Sequence, residues 1–263
     1  MTRRFWVVLC VLLVVVGEVA FPLQRNMLDT IRARGVLRIG EDAAFMPFYG
    51  TDKNGNRIGF DADLARDMAK VLGVKVKFVV TDWGGILLSL NNGDFDIIIS
   101  GMTITPKRAL MANFTIPYFS VNQTMILNKK RFPTPPTIEE LQSTQNLTIS
   151  VQLGSTGEFA ARRFFSKARI LTFDTMDEAA FQVATSRVDL MVTDSTYSKF
   201  IAKKYPQSVY MTGQTLTSEE LGMAVKMGDP DFLNWLNTFI RCEKASGRWD
   251  ELYKKWFVEY SGS

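Results

Sequence analysis

Histidine is absent from this 263-residue chain, and that absence removes whole classes of chemistry. Ser-His-Asp and Cys-His nucleophile systems need an imidazole to take the nucleophile's proton, and a zinc site would have to be built from carboxylates and a single thiol. Cysteine is scarce as well, with only Cys10 and Cys242 present. Cys10 sits in an apolar stretch, and Val7-Val8-Leu9 before it are too bulky for lipoprotein processing. Once that stretch is removed Cys242 stands alone, so no internal disulfide can form and stability has to come from core packing. Charge is balanced: setting aside Arg3, Arg4 and Glu18 from 31 basic and 27 acidic residues leaves a surplus of three. That is too small and too scattered for a nucleic-acid face. Beyond the N-terminal segment no apolar run is long enough to cross a bilayer. No metal, cofactor or nucleic acid is expected.

What is present begins with an export signal. Arg3-Arg4 precede twelve uncharged, mostly apolar residues from Phe5 to Val16 and then Gly17-Glu18-Val19-Ala20, the charge, length and order of a secretory leader over residues 1–20. Glu18 is a poor residue beside a cleavage point, so an uncleaved N-terminal anchor is the alternative. The 243 residues that follow suffice for one large or two small domains.

Two α/β patterns follow in order. Val36 to Gly40 reads as a strand, Asp61 to Leu72 as an amphipathic helix stopped by Gly73, Val74 to Val80 as a β-branched strand, Gly84 to Asn91 as a short helix and Asp96 to Ile99 as a third strand. The order βαβαβ predicts a parallel sheet with right-handed crossovers. After the loop Phe132-Pro133-Thr134-Pro135-Pro136 the pattern returns. Thr137 with Glu140 and Thr175 with Glu178 are capping boxes, Leu147 to Val151 and Asp189 to Asp194 read as strands, and Gly154-Ser155-Thr156-Gly157 turns into a helix from Glu158 to Phe165. Asp96-Ile97-Ile98-Ile99-Ser100 is echoed by Asp189-Leu190-Met191-Val192-Thr193. Leu221 to Val225 reads as one more strand, Asp229-Pro230 opens a helix to about Lys244, and a last helix carries Trp249, Leu252, Tyr253 and Trp256. These tryptophans and Trp235 are assigned to docking the terminal helices.

The run Ser100-Gly101-Met102-Thr103-Ile104-Thr105-Pro106-Lys107-Arg108 carries the chemistry. Ligands bind beyond the carboxyl ends of buried parallel strands, and Arg108 can take a carboxylate through two parallel hydrogen bonds. A small carboxylic acid is the expected ligand.

Gly59-Phe60-Asp61-Ala62-Asp63-Leu64-Ala65, the run from Gly93 to Arg108, Phe114-Thr115-Ile116-Pro117-Tyr118 and Gly154-Ser155-Thr156-Gly157 resemble, in order and in register, the bacterial extracellular solute-binding proteins of family 3. These are the polar amino acid-binding components of ABC transporters. The resemblance covers about Gly35 to Phe257. It implies a two-lobed α/β periplasmic binding protein fold of type II, with ligand in the cleft between two βαβαβ lobes. Residues 30–123 and 222–263 would form a discontinuous first lobe and residues 124–221 the second, with crossovers near Asn122 to Leu127 and Glu219 to Ala224. It further implies a monomer of the periplasm, or one tethered through its leader, whose partners are an amino acid and a membrane permease.

Carried over residue by residue, the resemblance assigns the ligand carboxylate to Arg108, Thr103, Ser155 and Thr156, and the α-ammonium to Asp194, Gly101 and the Thr103 hydroxyl. It assigns the side chain to Asp42, Glu41, Phe45, Trp83 and Gln152. Acids beside aromatic rings suit a cationic side chain. Gly101 and Gly157 stand where some members carry Ser and Gln, which leaves the identity of the amino acid open. No catalytic residue is implied. Cyclohexadienyl dehydratases resemble the same pattern, but the glutamate expected three residues past Asp194 is replaced by Tyr197. A sensor module feeding a separate receptor is a third reading.

Overall fold

The structure, a computed structural model, describes residues 26–260; the leader with Arg3, Arg4 and Cys10 lies outside the described residues. Two sheets dominate it. In the first, Val36–Glu41 is flanked in parallel by Lys75–Val80 and Ile97–Ile98, through the helices Phe60–Leu72 and Ile86–Asn92. Ile97, Ile98 and Ile99 are wholly buried, as a strand covered on both faces requires. In the second, Leu190–Asp194, Thr148–Gln152 and Arg169–Phe173 run parallel.

Neither sheet is parallel throughout, which corrects the sequence expectation. Ala224–Val225 enters the first sheet antiparallel between Ile97–Ile98 and Asn113–Phe114, and the long strand Phe119–Asn128 enters the second antiparallel to Leu190–Asp194. The cause is the connection between the sheets: each time the chain crosses over, it arrives from the opposite direction. The strand expected from Leu221 to Val225 is two strands, Thr217–Leu221 and Ala224–Val225, in different pairings. Gly222 separates them, and a β-carbon there would lie 2.8 Å from the Ile104 side chain, so the break is also a close approach.

The crossovers also sit elsewhere than expected. Thr217–Leu221 pairs antiparallel with Phe119 to Gln123, whereas Thr124 to Leu127 already belongs to the second sheet and Ala224 to the first. Phe119–Asn128 runs through the boundary with no glycine or proline to mark it, so the sequence carries no sign of where hinge becomes sheet.

The repeated Asp has a structural role in both sheets. Asp96 Oδ2 accepts from the Arg38 backbone N–H at 2.9 Å, and Asp189 Oδ2 accepts from the Thr148 backbone N–H at 2.9 Å. Each aspartate thus ties the end of its own turn to the neighbouring parallel strand. Caps behave as their residues dictate: Asp229 Oδ1 accepts from Phe232 N–H at 2.8 Å ahead of Pro230–Ala245, and both capping boxes form.

The terminal helices dock on the hinge. Phe119 meets Phe257 at 4.8 Å, Phe48 at 4.9 Å and Trp249 at 5.6 Å between ring centroids. Trp249 Nε1 donates to the Tyr118 carbonyl at 2.8 Å. Phe119 is buried at the root of the crossover, so Phe119→Ala should cost about 3–5 kcal/mol, read as a lower urea midpoint with an unchanged slope.

Candidate functional site

The loop after Ile97–Ile98 is bent by Gly101, whose φ of +55° suits glycine. A β-carbon there would lie 2.8 Å from the Phe45 ring, which explains why the Ser of other members has no room. The Gly101 N–H donates to Asp61 Oδ2 at 3.0 Å and Tyr118 Oη donates to the same oxygen at 3.1 Å. Asp61 is fully buried, and burial pushes its carboxyl well above the usual range. Thr105 then caps the short helix Pro106–Ala109 and so aims Arg108 back across the loop. The guanidinium donates to the Thr103 carbonyl at 2.9 Å and to the Gly154 carbonyl of the second sheet at 3.3 Å, and lies 5.2 Å from the Trp83 ring centroid. It is 9% exposed and, among the described residues, forms no ion pair within 4.0 Å. Burial lowers its pKa to about 10, against the pull of Glu219 and Asp194.

From the second sheet, Ser155 and Thr156 open the helix Thr156–Phe164. The Ser155 hydroxyl is committed to capping: it donates to the Gln152 carbonyl at 2.7 Å and accepts from Glu158 N–H at 3.1 Å. The donors this turn offers an anion are therefore the first backbone N–H groups of the helix. At Gly157 a β-carbon would stand 2.8 Å from the Val192 carbonyl, so a Gln there would require the strand to move. Asp194, at the end of Leu190–Asp194, accepts a short hydrogen bond from Gln123 Nε2. Burial first, then the neighbouring Glu219, raises its carboxyl to about 8.

Asp42 and Gln152 join the two sheets at the far end of the cleft: Gln152 Nε2 donates to Asp42 Oδ2 at 2.5 Å and to the Asp174 carbonyl at 3.0 Å. Burial raises the Asp42 pKa. Phe45 lies between Phe48 and Tyr197, at 5.3 and 5.4 Å. Glu41 is turned elsewhere. Arg57 grips its Oε2 through Nε at 2.8 Å and Nη2 at 2.7 Å, and burial raises it to about 7 in spite of that partner.

Phe45, Trp83, Gly101, Thr103, Gln152, Ser155, Thr156 and Asp194 thus line one cleft, with Tyr49, Ser100 and Met176 beside them. Arg108 and Asp42 adjoin it through Thr103, Trp83 and Gln152, while Glu41 does not line it. The cavity between them is about 20 Å³, room for about one water molecule, so anything larger fits only if the walls part. Two polar residues at the centre were not singled out in the sequence: Gln123, and Glu219 on the hinge strand. Their only sign is a polar side chain on a strand that runs between two sheets.

A family model for bacterial extracellular solute-binding proteins, family 3, matches residues 37–259. The ancestral amino acid-binding protein AncCDT-1, a precursor of cyclohexadienyl dehydratase, is 44% identical with a TM-score of 0.81, over 89% of this chain and all of that one (100%). An ancestral arginine-binding protein bound to arginine is 36% identical with a TM-score of 0.77, over 85% of this chain and 99% of its own. The cyclohexadienyl dehydratase of Pseudomonas aeruginosa is 30% identical over 251 residues, 94% of this chain and 92% of its length.

Asp194 makes stability depend on pH in a defined direction. Its folded pKa, about 8, lies above the ordinary aspartate value of 3.8, so its protonated form is favoured in the fold. The stability it contributes is full below 3.8 and is lost as pH rises to about 8. Asp194→Asn should therefore raise the Tm of ligand-free protein at pH 8 and leave it unchanged at pH 4, as differential scanning calorimetry will read.

Proposed function

Because the chain belongs to the bacterial extracellular solute-binding proteins of family 3, we propose that it captures a polar L-amino acid, with a cationic side chain preferred, and delivers it to an ABC transporter permease. The setting is the periplasm, reached through the leader and with tethering by that leader as the alternative. Capture is a hinge motion in which residues 124–221 close on the rest of the chain.

The observation that carries this reading is a pair of oppositely charged side chains in one cleft, Arg108 and Asp194, both buried and, among the described residues, neither in an ion pair within 4.0 Å. The α-carboxylate of an amino acid meets Arg108, the backbone near Thr103 and the N–H groups opened by Ser155 and Thr156. Its ammonium meets Asp194, the Gly101 carbonyl and the Thr103 oxygen. The two groups come from opposite sheets, so ligand is bound most strongly when the walls meet, and the closed form is the one it favours. Asp42 with Phe45, Trp83 and Gln152 faces the side chain, and its buried carboxylate suits a guanidinium or ammonium. The arginine complex of a related protein agrees with that preference.

A dehydratase is the second reading, supported by the Pseudomonas aeruginosa relative and by Asp194, whose pKa of about 8 would let it donate a proton at neutral pH. Against it stands Tyr197, wholly buried with its hydroxyl donated to Asp177 Oδ1 at 2.5 Å, which leaves the expected acid position filled by a structural phenol.

Calorimetric titration of refolded protein against the standard amino acids, prephenate and arogenate separates the two. Tight binding of one amino acid with no turnover supports transport; consumption of prephenate without amino acid binding sinks it. Arg108→Ala should weaken binding by about 2–5 kcal/mol. Asp42→Asn should weaken arginine and lysine roughly tenfold or more and glutamine by about threefold or less. Since Asp194 must lose its proton to hold an ammonium, affinity should rise from pH 6 to about 8 and then level off.

A further inference from the structure

Glu219 stands half-buried on the hinge strand Thr217–Leu221, opposite Val121 in the paired crossover, and reaches residues of both walls. Its Oε2 accepts from the Thr103 hydroxyl at 2.8 Å, from the Thr156 hydroxyl at 2.7 Å and from Gln123 Nε2 at 3.3 Å. Its Oε1 accepts from the Thr217 hydroxyl at 3.0 Å. A carboxylate only accepts, and a threonine has one proton to give. Both threonine protons are therefore committed to Glu219, and the two oxygens, 3.3 Å apart, keep only lone pairs for anything else. Gln123 commits its two amide protons among Asp194, Thr156 and Glu219, while its buried Oε1 has no partner, which adds a further unfilled acceptor to that group.

We propose that Glu219 is a specificity-determining residue: by taking the protons of Thr103 and Thr156 it makes the amine end of the cleft acceptor-only, so that a ligand must bring a protonated α-amino group. A des-amino acid or a 2-oxo acid with the same side chain would leave the lone pairs of Thr103 and Thr156, and the Asp194 carboxyl once it has lost its proton, facing it without a donor. A buried site built to accept from a ligand N–H rejects the analogue that lacks it far more strongly than an apolar pocket rejects a missing methylene. This inference rests on the amino acid-binding reading above. It also means that the two threonines bind a carboxylate through backbone only, since neither hydroxyl can donate to it.

The test compares the tightest-binding standard amino acid with its des-amino analogue, 5-guanidinopentanoate for arginine or 6-aminohexanoate for lysine. Both are titrated calorimetrically into refolded wild type and Glu219→Gln, with Tm as the check on folding. Wild type should prefer the amino acid by roughly 100-fold or more. In Glu219→Gln, whose amide presents N–H to the threonines and frees a hydroxyl to donate, that ratio should fall roughly tenfold or more, mainly through loss of amino acid affinity. If Glu219→Gln unfolds, Thr103→Val and Thr156→Val remove the acceptors without touching the hinge strand and should narrow the same ratio. Amino acid binding by wild type with a ratio unchanged within about twofold in every folded variant overturns this proposal alone. Absence of any amino acid binding by wild type overturns the transport reading and this proposal together.

Discussion

The cleft is organised around a buried guanidinium that, among the described residues, has no ion-pair partner within 4.0 Å. Moving an ion into a protein interior costs several kcal/mol unless hydrogen bonds and an opposite charge offset it. Arg108 has two carbonyls and an aromatic face and the more distant pull of Glu219 and Asp194, which together offset only part of its burial. Asp194 lies across the cleft, where it accepts from Gln123 and makes no ion pair with Arg108 within 4.0 Å. A zwitterion with the right spacing resolves both at once.

The scaffold places each of these charges at or beside the end of a regular element. Arg108 is aimed by the Thr105 cap, Asp194 by the end of a central strand, and the anion-facing turn by Ser155. The hinge between them is a two-stranded antiparallel ribbon, Phe119 to Gln123 against Thr217–Leu221, whose outer end is clamped by the aromatic cluster around Phe119. The polar network of Glu219 and Gln123 sits further along the same ribbon.

Much of this was legible in the residues. The buried Ile97 to Ile99 run, the capping boxes, the Asp229-Pro230 helix start and the Ser100 to Arg108 loop follow from local rules, and local rules held because those elements are decided by neighbours in sequence. What was not legible depends on register. Glu41 looked like a pocket acid until the hairpin Gly50–Thr51 with Arg57–Ile58 brought Arg57 to it from sixteen residues away. Mixed sheet direction and the break at Gly222 follow from which strand the chain returns to, and no periodicity encodes that. The strand Arg169–Phe173 is an edge strand with two of its five residues exposed, so its apolar pattern is weak. Glu219 and Gln123 matter because of where three separate segments converge.

The insertion of Ala224–Val225 between Ile97–Ile98 and Asn113–Phe114 sets an order of events for folding. The first sheet lacks an interior strand until the whole of the second sheet has been made, because that strand is encoded after it. Residues 36 to 114 therefore emerge as an incomplete layer with an open seam, and long-range closure of that kind is slow.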